Sequence, residues 1–120
     1  MLFRRKENKY DAGQYGEQTI YYAHNGNIVG EFTIEHTYSF ERQSYIRYIK
    51  NLCIYTEYRG QGYGNLMIAE MASMVKNTPY PLALDVWDDN YRAIHLYEKY
   101  GFVKTGTSGY IGAYYMILTN

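Results

Sequence analysis

Apolar and polar positions along the chain alternate first with the period of strands and later with the period of helices. Alternating segments cover residues 18–23, 28–37 and 44–55, and Asn25-Gly26 separates the first two. An Asn-Gly pair between two such segments is the strongest local signal for a β-hairpin. The first half of the chain therefore predicts three strands, of which the first two form a hairpin.

The third predicted strand loses its alternation towards its end. Its apolar positions are not separated by two residues throughout: Ile46, Ile49, Leu52 and Ile54. A β-bulge, which adds one residue to one strand of a pair, accommodates such a break and re-aims the backbone groups beside it. We expect a bulge between residues 49 and 52.

Two helical patterns follow, and each has its own stop signal. The first is set by apolar residues at helical spacing: Met67, Ile68, Met71, Met74 and Val75. It predicts a helix over residues 62–77, which Pro79 and Pro81 end. The second begins at capping residues 88–90 and ends at Gly101, a residue type favoured just after a helix.

The remaining segments complete a mixed fold. Residues 82–86 form a short apolar strand between the helices, and residues 102–106 and 110–118 predict a closing hairpin. The order β-β-β-α-β-α-β-β indicates an α/β (α+β) fold with a mostly antiparallel central sheet and one parallel βαβ crossover. Residues 1–16 have little periodicity and are expected to be an irregular arm of a single domain spanning residues 1–120.

The composition limits the kinds of partner. In 120 residues, 12 basic side chains balance 12 acidic ones, which does not favour an extended phosphate-binding face, so no nucleic-acid partner is expected. No apolar run approaches the ~18 residues of a membrane-spanning helix, so no membrane partner is expected. The single cysteine, Cys53, cannot form an internal disulfide, and the expected compartment is the reducing cytoplasm. Without a histidine near it in sequence, Cys53 is expected to be a small buried residue rather than a nucleophile.

The most specific chemical feature is a glycine-rich turn between the third strand and the first helix. It reads Arg59-Gly60-Gln61-Gly62-Tyr63-Gly64. Glycine adopts positive φ readily and lets backbone N–H groups approach a ligand closely. The helix that follows adds unpaired N–H groups and a positive dipole end, and arginine adds a charged two-pronged donor. The turn therefore predicts a site for a phosphate-like anion, and the absence of a following Gly-Lys-Ser/Thr excludes a P-loop.

Two segments together resemble the signatures of the GNAT superfamily of acetyl-CoA-dependent N-acetyltransferases. The first is Arg59-x-x-Gly62-x-Gly64, preceded by the strand residues Leu52-Cys53-Ile54. The second is Asn90-x-x-Ala93-Ile94-x-Leu96-Tyr97-Glu98-Lys99-Tyr100-Gly101-Phe102. The two segments span residues 52–102, and the predicted hairpins outside them agree with the order of elements in that family.

The resemblance implies that acetyl-CoA is the acetyl donor and that no metal takes part. Leu52, Cys53 and Ile54 would offer backbone groups to the pantetheine arm, which would pair with them like an additional strand. Asn90 would hydrogen-bond the same arm. The pyrophosphate would be held by the turn that comprises Arg59, Gly60, Gln61, Gly62, Tyr63, Gly64 and Asn65.

The resemblance also implies which residues carry the chemistry. Tyr97 would stand beside the sulfur as general acid, and Asp85 occupies a position where some relatives carry a general base. From the chemistry of the side chains alone, Glu31, Glu35 and His36 are alternatives to Asp85 as acceptors of the amine proton through a water chain.

The expected function is transfer of an acetyl group to a primary amine by direct attack in a ternary complex. The acceptor is either a protein lysine or N-terminus, or a small amine. Two alternatives remain: a non-catalytic acyl-CoA-binding module, and an interaction protein that uses its tyrosine-rich faces. Roughly 16 residues precede the first hairpin, where most relatives carry a strand and two helices. We therefore expect either a homodimer that completes the acceptor cleft or an open cleft that admits a large substrate.

Overall fold

A computed structural model of the protein describes residues 1–4, 16–76 and 78–120. The strands are β1 (Leu2–Arg4), β2 (Gly16–His24), β3 (Asn27–Ser39), β4 (Ser44–Ile54), β5 (Leu82–Trp87), β6 (Val103–Lys104) and β7 (Ala113–Leu118). The helices are α1 (Tyr63–Ser73) and α2 (Tyr91–Lys99), and a single 3₁₀ turn covers Thr56–Tyr58.

The described strands form one mixed sheet in the order β1-β2-β3-β4-β5-β7-β6. β4 and β5 are parallel, and the other described neighbours are antiparallel. Helix α1 makes the crossover between the two parallel strands, as the geometry of such a connection requires. The predicted fold class, a mostly antiparallel α/β sheet with one parallel crossover, is confirmed.

The N-terminal prediction is wrong in part. Leu2–Arg4 forms strand β1 and pairs with β2, where the sequence pattern indicates an irregular arm over residues 1–16. Three residues are too few to show a periodicity, so the pattern carries no signal for this strand. The remainder of the predicted arm, residues 5–15, lies outside the described residues, and the single-domain organisation stays a prediction.

Two further boundaries differ from the sequence prediction. Helix α1 ends at Ser73 rather than at residue 77, because residues 74–76 bond to carbonyls three positions earlier instead of four. The closing hairpin is also shorter than predicted, since β6 has two residues and β7 begins at Ala113.

The predicted bulge in β4 is confirmed. Positions 31 and 33 of β3 lie opposite positions 53 and 50 of β4, so β4 has one residue more in this interval. The distortion falls at Asn51, which has a φ of 55°. Asparagine tolerates this left-handed conformation better than most residues. The bulge separates the first half of β4 from the segment Leu52 to Ile54.

Both helices contribute to the same buried cluster on one face of the sheet. At its centre lie fully buried side chains from strands, from α1 and from the segment after α2: Phe32, Ile34, Met67, Met71, Leu82, Phe102 and Met116. On the other face, Ile46, Ala83 and Ile117 form a smaller buried cluster with Tyr48 and Tyr115. Neither described helix is long and apolar enough to span a membrane.

Arg47 anchors the point where β4 and β5 meet, a role the sequence did not predict. Its guanidinium donates to the carbonyl of Tyr80 at 2.8 Å and to that of Met74 at 3.0 Å. Burial lowers the pKa of Arg47, and the two carbonyls supply the acceptors that a buried cation requires. These bonds join β4 to the end of α1 and to the segment that leads into β5.

Candidate active site

The candidate site lies where β4 and β5 part. Their parallel pairing covers only two register pairs, Arg47 with Leu82 and Tyr48 with Ala83. Beyond these pairs the two strands border an open cavity of about 260 Å³. Asp85, Asn90 and Tyr97, predicted from separate parts of the sequence, line this cavity together with side chains that were not predicted: Tyr48, Trp87 and Tyr110.

The end of β4 presents an unpaired backbone edge towards this opening. The amide of Tyr55 bonds the carbonyl of Val29, which fixes the alternation of the β3–β4 ladder. Counting back from that pair, the amide and carbonyl of Cys53 point towards β3, whereas those of Leu52 and Ile54 point away from it. The amide and carbonyl of Leu52 and the amide of Ile54 are therefore in position to pair with an extended ligand, and Cys53 contributes its side chain only.

The glycine-rich turn has the conformation that its sequence predicts. Gly60 and Gly62 have φ of 76° and 84°, and a Cβ added at either would meet nothing within 4 Å. Gly62 precedes α1 and no side chain caps that helix, so the amides of Tyr63, Gly64 and Asn65 have no intrahelical acceptor. Open space beside unpaired N–H groups is the arrangement that binds a phosphate-like anion.

Three side chains of this turn are held by the protein itself. Arg59 donates through Nε to the carbonyl of Ile54 at 2.8 Å, which leaves the outer nitrogens of its exposed guanidinium for an anion. Gln61 donates to the carbonyl of Glu57 at 3.2 Å. Asn65 accepts the hydroxyl of Tyr100 at 2.7 Å, so its side chain ties α1 to α2 and only its backbone faces the turn.

Tyr97 projects from α2 into the cavity. Helix α2 ends as predicted: Gly101 has a φ of 99°, and the amide of Phe102 bonds the Tyr97 carbonyl at 3.1 Å. The ring of Phe102 packs on that of Tyr97 at 5.7 Å, which fixes the orientation of the tyrosine. Burial raises the pKa of Tyr97, so its hydroxyl stays protonated at neutral pH. Among the described residues its hydroxyl has no hydrogen-bond partner.

Asn90 caps α2 and lines the cavity. Its Oδ1 accepts the amide of Ala93 at 3.3 Å, as expected of a residue at this position. Its Nδ2 donates to no other residue in the described ranges and remains available for a ligand carbonyl.

Asp85 is held by two hydroxyl donors. Tyr48 donates to Oδ2, and Ser108 donates to Oδ1 at 2.6 Å. The bond to Asp85 and, above all, burial raise the pKa of the Tyr48 hydroxyl. Asp85 is therefore a fixed, half-buried carboxylate at the cavity wall.

The alternative bases do not line the cavity. Glu31 accepts the hydroxyl of Tyr55 at 2.8 Å, and Glu35 pairs with Lys50 at 2.9 Å on the sheet face opposite the helices. His36 lies opposite Arg47 in the β3–β4 ladder. Of the four carboxylate and imidazole candidates, Asp85 is the one that lines the same cavity as Tyr97.

Cys53 is half-buried, and its surroundings do not activate a thiol. Burial chiefly, and then the charge of Glu31, raise the pKa of the Cys53 thiol. A higher pKa lowers the thiolate fraction at neutral pH. These surroundings indicate a structural role for the Cys53 side chain, next to the free backbone edge of β4.

Gly30 determines how closely β3 approaches this edge. A Cβ added there would lie 2.6 Å from the carbonyl oxygen of Cys53 and 2.8 Å from Cδ1 of Ile54. Neither distance is tolerated, so any larger residue must move the end of β4. Sequence alone gives no signal for this role, since the glycine falls inside a strand pattern.

We expect Gly30→Ala to displace Leu52 and Ile54 and to weaken binding of acetyl-CoA about tenfold. Overpacking of this kind costs about 1–3 kcal/mol of stability. Calorimetric titration and denaturant unfolding measure the two effects. Gly109→Ala is the matched control, because nothing lies within 4 Å of a Cβ there. Equal affinities in the two variants would contradict this role of Gly30.

Comparison with known proteins identifies the same family. Residues 16–104 match the family model described as "Acetyltransferase (GNAT) domain". The L-amino acid N-acetyltransferase AaaT of Escherichia coli K12 is 30% identical over 102 residues, covering 77% of this chain. The match covers 62% of that relative, so the chain spans less than two thirds of its length.

Solved structures share the fold. A GNAT family acetyltransferase from Elizabethkingia anophelis with acetyl-CoA bound superposes with a TM-score of 0.71 at 18% identity, over 100% of this chain and 97% of that one. Spermidine N-acetyltransferase from Vibrio cholerae in complex with CoA and spermine gives a TM-score of 0.64 at 23% identity, over 85% and 64% of the two chains. At these identities the likeness concerns the fold alone.

Proposed function

Because the chain belongs to the GNAT family of acetyltransferases, we propose that it transfers an acetyl group from acetyl-CoA to a primary amine by direct attack in a ternary complex. The observation that carries this proposal is the cavity between β4 and β5, where Tyr97, Asp85 and Asn90 converge beside the free edge of β4. A module that only binds acyl-CoA would need the edge and the glycine turn but neither Tyr97 nor Asp85.

Each residue has a role in this proposal. Bound acetyl-CoA supplies the acetyl group as a thioester. Leu52 and Ile54 pair with the pantetheine arm, Asn90 donates to it, and the turn from Arg59 to Asn65 holds the pyrophosphate. A backbone N–H group at the bulge donates a hydrogen bond to the acetyl oxygen, which becomes negatively charged as the amine attacks. A fixed donor is most effective at such a developing charge. Tyr97 gives its proton to the departing sulfur.

The amine must lose a proton before or during attack. A lysine-like amine with a pKa of ~10.4 is neutral in roughly one molecule in 2,500 at pH 7, a deficit of about 4.6 kcal/mol. We propose that Asp85 accepts this proton, directly or through water, because its carboxylate is at the cavity wall.

The acceptor is a primary amine whose identity we propose to find by screening. The named relatives act on L-amino acids and on spermidine, so both classes belong in the panel, with lysine peptides and N-terminal peptides. Release of free thiol from acetyl-CoA in the presence of each amine measures transfer. We expect at least one class to give saturable release above the rate without amine. Binding of acetyl-CoA without release for any class would favour the non-catalytic module.

We further propose a cytoplasmic homodimer. The outer edge of β7 is partly uncovered, since β6 pairs only with Met116 and Ile117. Large apolar side chains of the C-terminal part of the chain are exposed: Val103, Tyr110, Ile111 and Tyr114. The structure of a relative, the spermidine N-acetyltransferase of Vibrio cholerae, is dodecameric. The free thiol of Cys53 suits a reducing compartment.

Light scattering at micromolar concentration tests the dimer. We expect a mass twice that of the 14.2 kDa chain. Ile111→Asp should shift the mass towards that of one chain, because it places a charge on the proposed contact surface. A single-chain mass for the unaltered protein would contradict the dimer.

A further inference from the structure

Of the two hydroxyls that hold Asp85, one comes from a strand of the sheet and the other from a surface loop. Tyr48 lies in the sheet, between β3 and β5, and is half-buried. Ser108 lies in the loop of residues 105–112, which connects β6 to β7. The neighbours of Ser108 in this loop are exposed, Tyr110 to 58% and Ile111 completely. One donor is therefore fixed by the fold, and the other is carried by a surface loop.

The Ser108 hydroxyl has a defined orientation. Its oxygen accepts the amide of Tyr110 at 3.0 Å, so its proton is free to point at Oδ1 of Asp85. The end of the loop is fixed to β5 by the bond from the Asp88 amide to the Gly112 carbonyl at 2.8 Å. Tyr110 lies against Trp87 at 6.1 Å and lines the catalytic cavity. The loop thus reaches both Asp85, through Ser108, and the cavity, through Tyr110.

We propose that Tyr48 and Ser108 are positioning residues for Asp85. Before the acceptor binds, Ser108 donates a hydrogen bond to Oδ1, the same carboxylate oxygen that then binds the acceptor ammonium. Tyr48 keeps Oδ2 throughout the reaction. At Oδ1, the hydrogen bond from Ser108 is exchanged for one from the ammonium. The ammonium N–H bond then breaks, an O–H bond forms at Oδ1, and the nitrogen keeps the electron pair that attacks the acetyl carbon. This proposal rests on the proposed function.

Other charged or titratable groups around Asp85 lie on β3, β4, α2, β7 and the turn between β3 and β4. Tyr115 of β7 is opposite Asp85 in the ladder, and Tyr97 of α2 lines the same cavity. In addition to burial, the charge of Glu35 of β3 raises the pKa of Tyr48, and Glu35 is paired with Lys50 of β4. Burial chiefly raises the pKa of Tyr115, and in the β3–β4 turn the charge of Arg42 acts to lower it and that of Glu41 to raise it. Of these groups, Tyr115 is the suitable control, since its hydroxyl makes no hydrogen bond to Asp85.

The test combines pH–rate profiles with carbon NMR of the Asp85 carboxylate. The acidic limb of kcat/KM reports the free enzyme, and that of kcat reports the complex with acceptor. Tyr48→Phe removes a donor to the ionised carboxylate, which favours its protonated form. We expect the acidic limbs of both profiles to move up by about one pH unit, so that kcat falls roughly tenfold at pH values below the limb and little on the plateau above it. The NMR titration midpoint of Asp85 should move by the same amount.

Ser108→Ala should behave differently. We expect it to raise the NMR midpoint and the acidic limb of kcat/KM, and to leave the limb of kcat in place, because the acceptor has already replaced Ser108 in the complex. Tyr115→Phe should move none of the three. A Ser108→Ala variant that shifts both limbs, or neither limb nor the midpoint, overturns the exchange.

The two proposals fail in distinguishable ways. An unaltered chain that transfers no acetyl group to any amine in the screen overturns the proposed function. An active chain in which Tyr48→Phe leaves the midpoint and both limbs unchanged overturns the positioning role alone. Movement of the NMR midpoint without movement of either limb also overturns it, since the two hydroxyls would then hold a carboxylate that the reaction does not use.

Discussion

Gly62→Leu is expected to weaken binding of acetyl-CoA by about 100-fold or more while the fold remains intact. Gly62 has a φ of 84° and stands immediately before α1. A leucine either holds this left-handed conformation, at a cost of about 1–2 kcal/mol, or leaves it. In the first case its side chain covers the amides of Tyr63 and Gly64, and in the second the amides no longer converge.

Calorimetric titration of acetyl-CoA measures this loss. The matched control is Gly26→Leu, because Gly26 has a φ of 81° in the β2–β3 turn and is equally surrounded by open space. Both variants carry the same conformational strain, but Gly26 has no proposed contact with the ligand. We expect similar unfolding transitions and a loss of affinity in Gly62→Leu alone. An unchanged dissociation constant for Gly62→Leu would contradict the role of the turn.

Tyr97→Phe is expected to lower kcat by about 10- to 1,000-fold without abolishing activity. The thiol that departs has a pKa near ~8.5, below the ~10 of an ordinary tyrosine, so proton donation assists its departure only modestly. Burial raises the pKa of Tyr97 further, which keeps the proton in place at neutral pH and makes the hydroxyl a weaker acid. The Phe ring preserves packing on Phe102, so the loss reports the hydroxyl.

The measurement is kcat with the best acceptor from the screen at saturating acetyl-CoA. Tyr100→Phe serves as control, because it removes a hydroxyl from the same helix end that bonds Asn65 rather than lining the cavity. The affinity for acetyl-CoA should change little in Tyr97→Phe, since a sulfur is a weak hydrogen-bond partner. A kcat equal to that of the unaltered protein would contradict the assignment of Tyr97 as general acid.

Local patterns in the sequence predicted most of this fold. The Asn25-Gly26 hairpin, the β4 bulge and the Gly101 end of α2 each depend on the conformational preference of one or two residues, which the sequence states directly. The bulge followed from lost alternation and appears at Asn51. Element lengths were less predictable, because the last turn of α1 and the length of the final hairpin depend on tertiary hydrogen bonds.

The candidate site was predictable where a motif fixes the residues and not where the fold brings them together. Tyr97, Asn90 and the glycine turn carry recognisable spacing. Tyr48 and Ser108 are 60 positions apart, and each looks like an ordinary surface or strand residue until both are seen to bond Asp85. Arg47 and Gly30 were missed for the same reason, since a buried guanidinium and a close strand approach are visible only in three dimensions.

The family resemblance does not distinguish which backbone groups of residues 52–54 are free to bind a ligand. It gave Leu52, Cys53 and Ile54 the same part, whereas alternation along β4 directs the amide and carbonyl of Cys53 to β3. Similarly, the side chain of Asn65 bonds α2 rather than facing the turn. A sequence motif identifies the residues of a site. The hydrogen-bonding pattern of the sheet determines which of their backbone groups are free to bind a ligand.

Titration of the unaltered protein with acetyl-CoA by calorimetry is the most direct test of the central claim, that the edge of β4 and the glycine turn form a donor site. We predict saturable binding of one acetyl-CoA per chain with a dissociation constant of about 1 mM or tighter, in the range typical of enzyme substrates. Desulfo-CoA should compete with it, because the pyrophosphate and most of the pantetheine arm are unchanged. Absence of binding at millimolar acetyl-CoA would contradict the account.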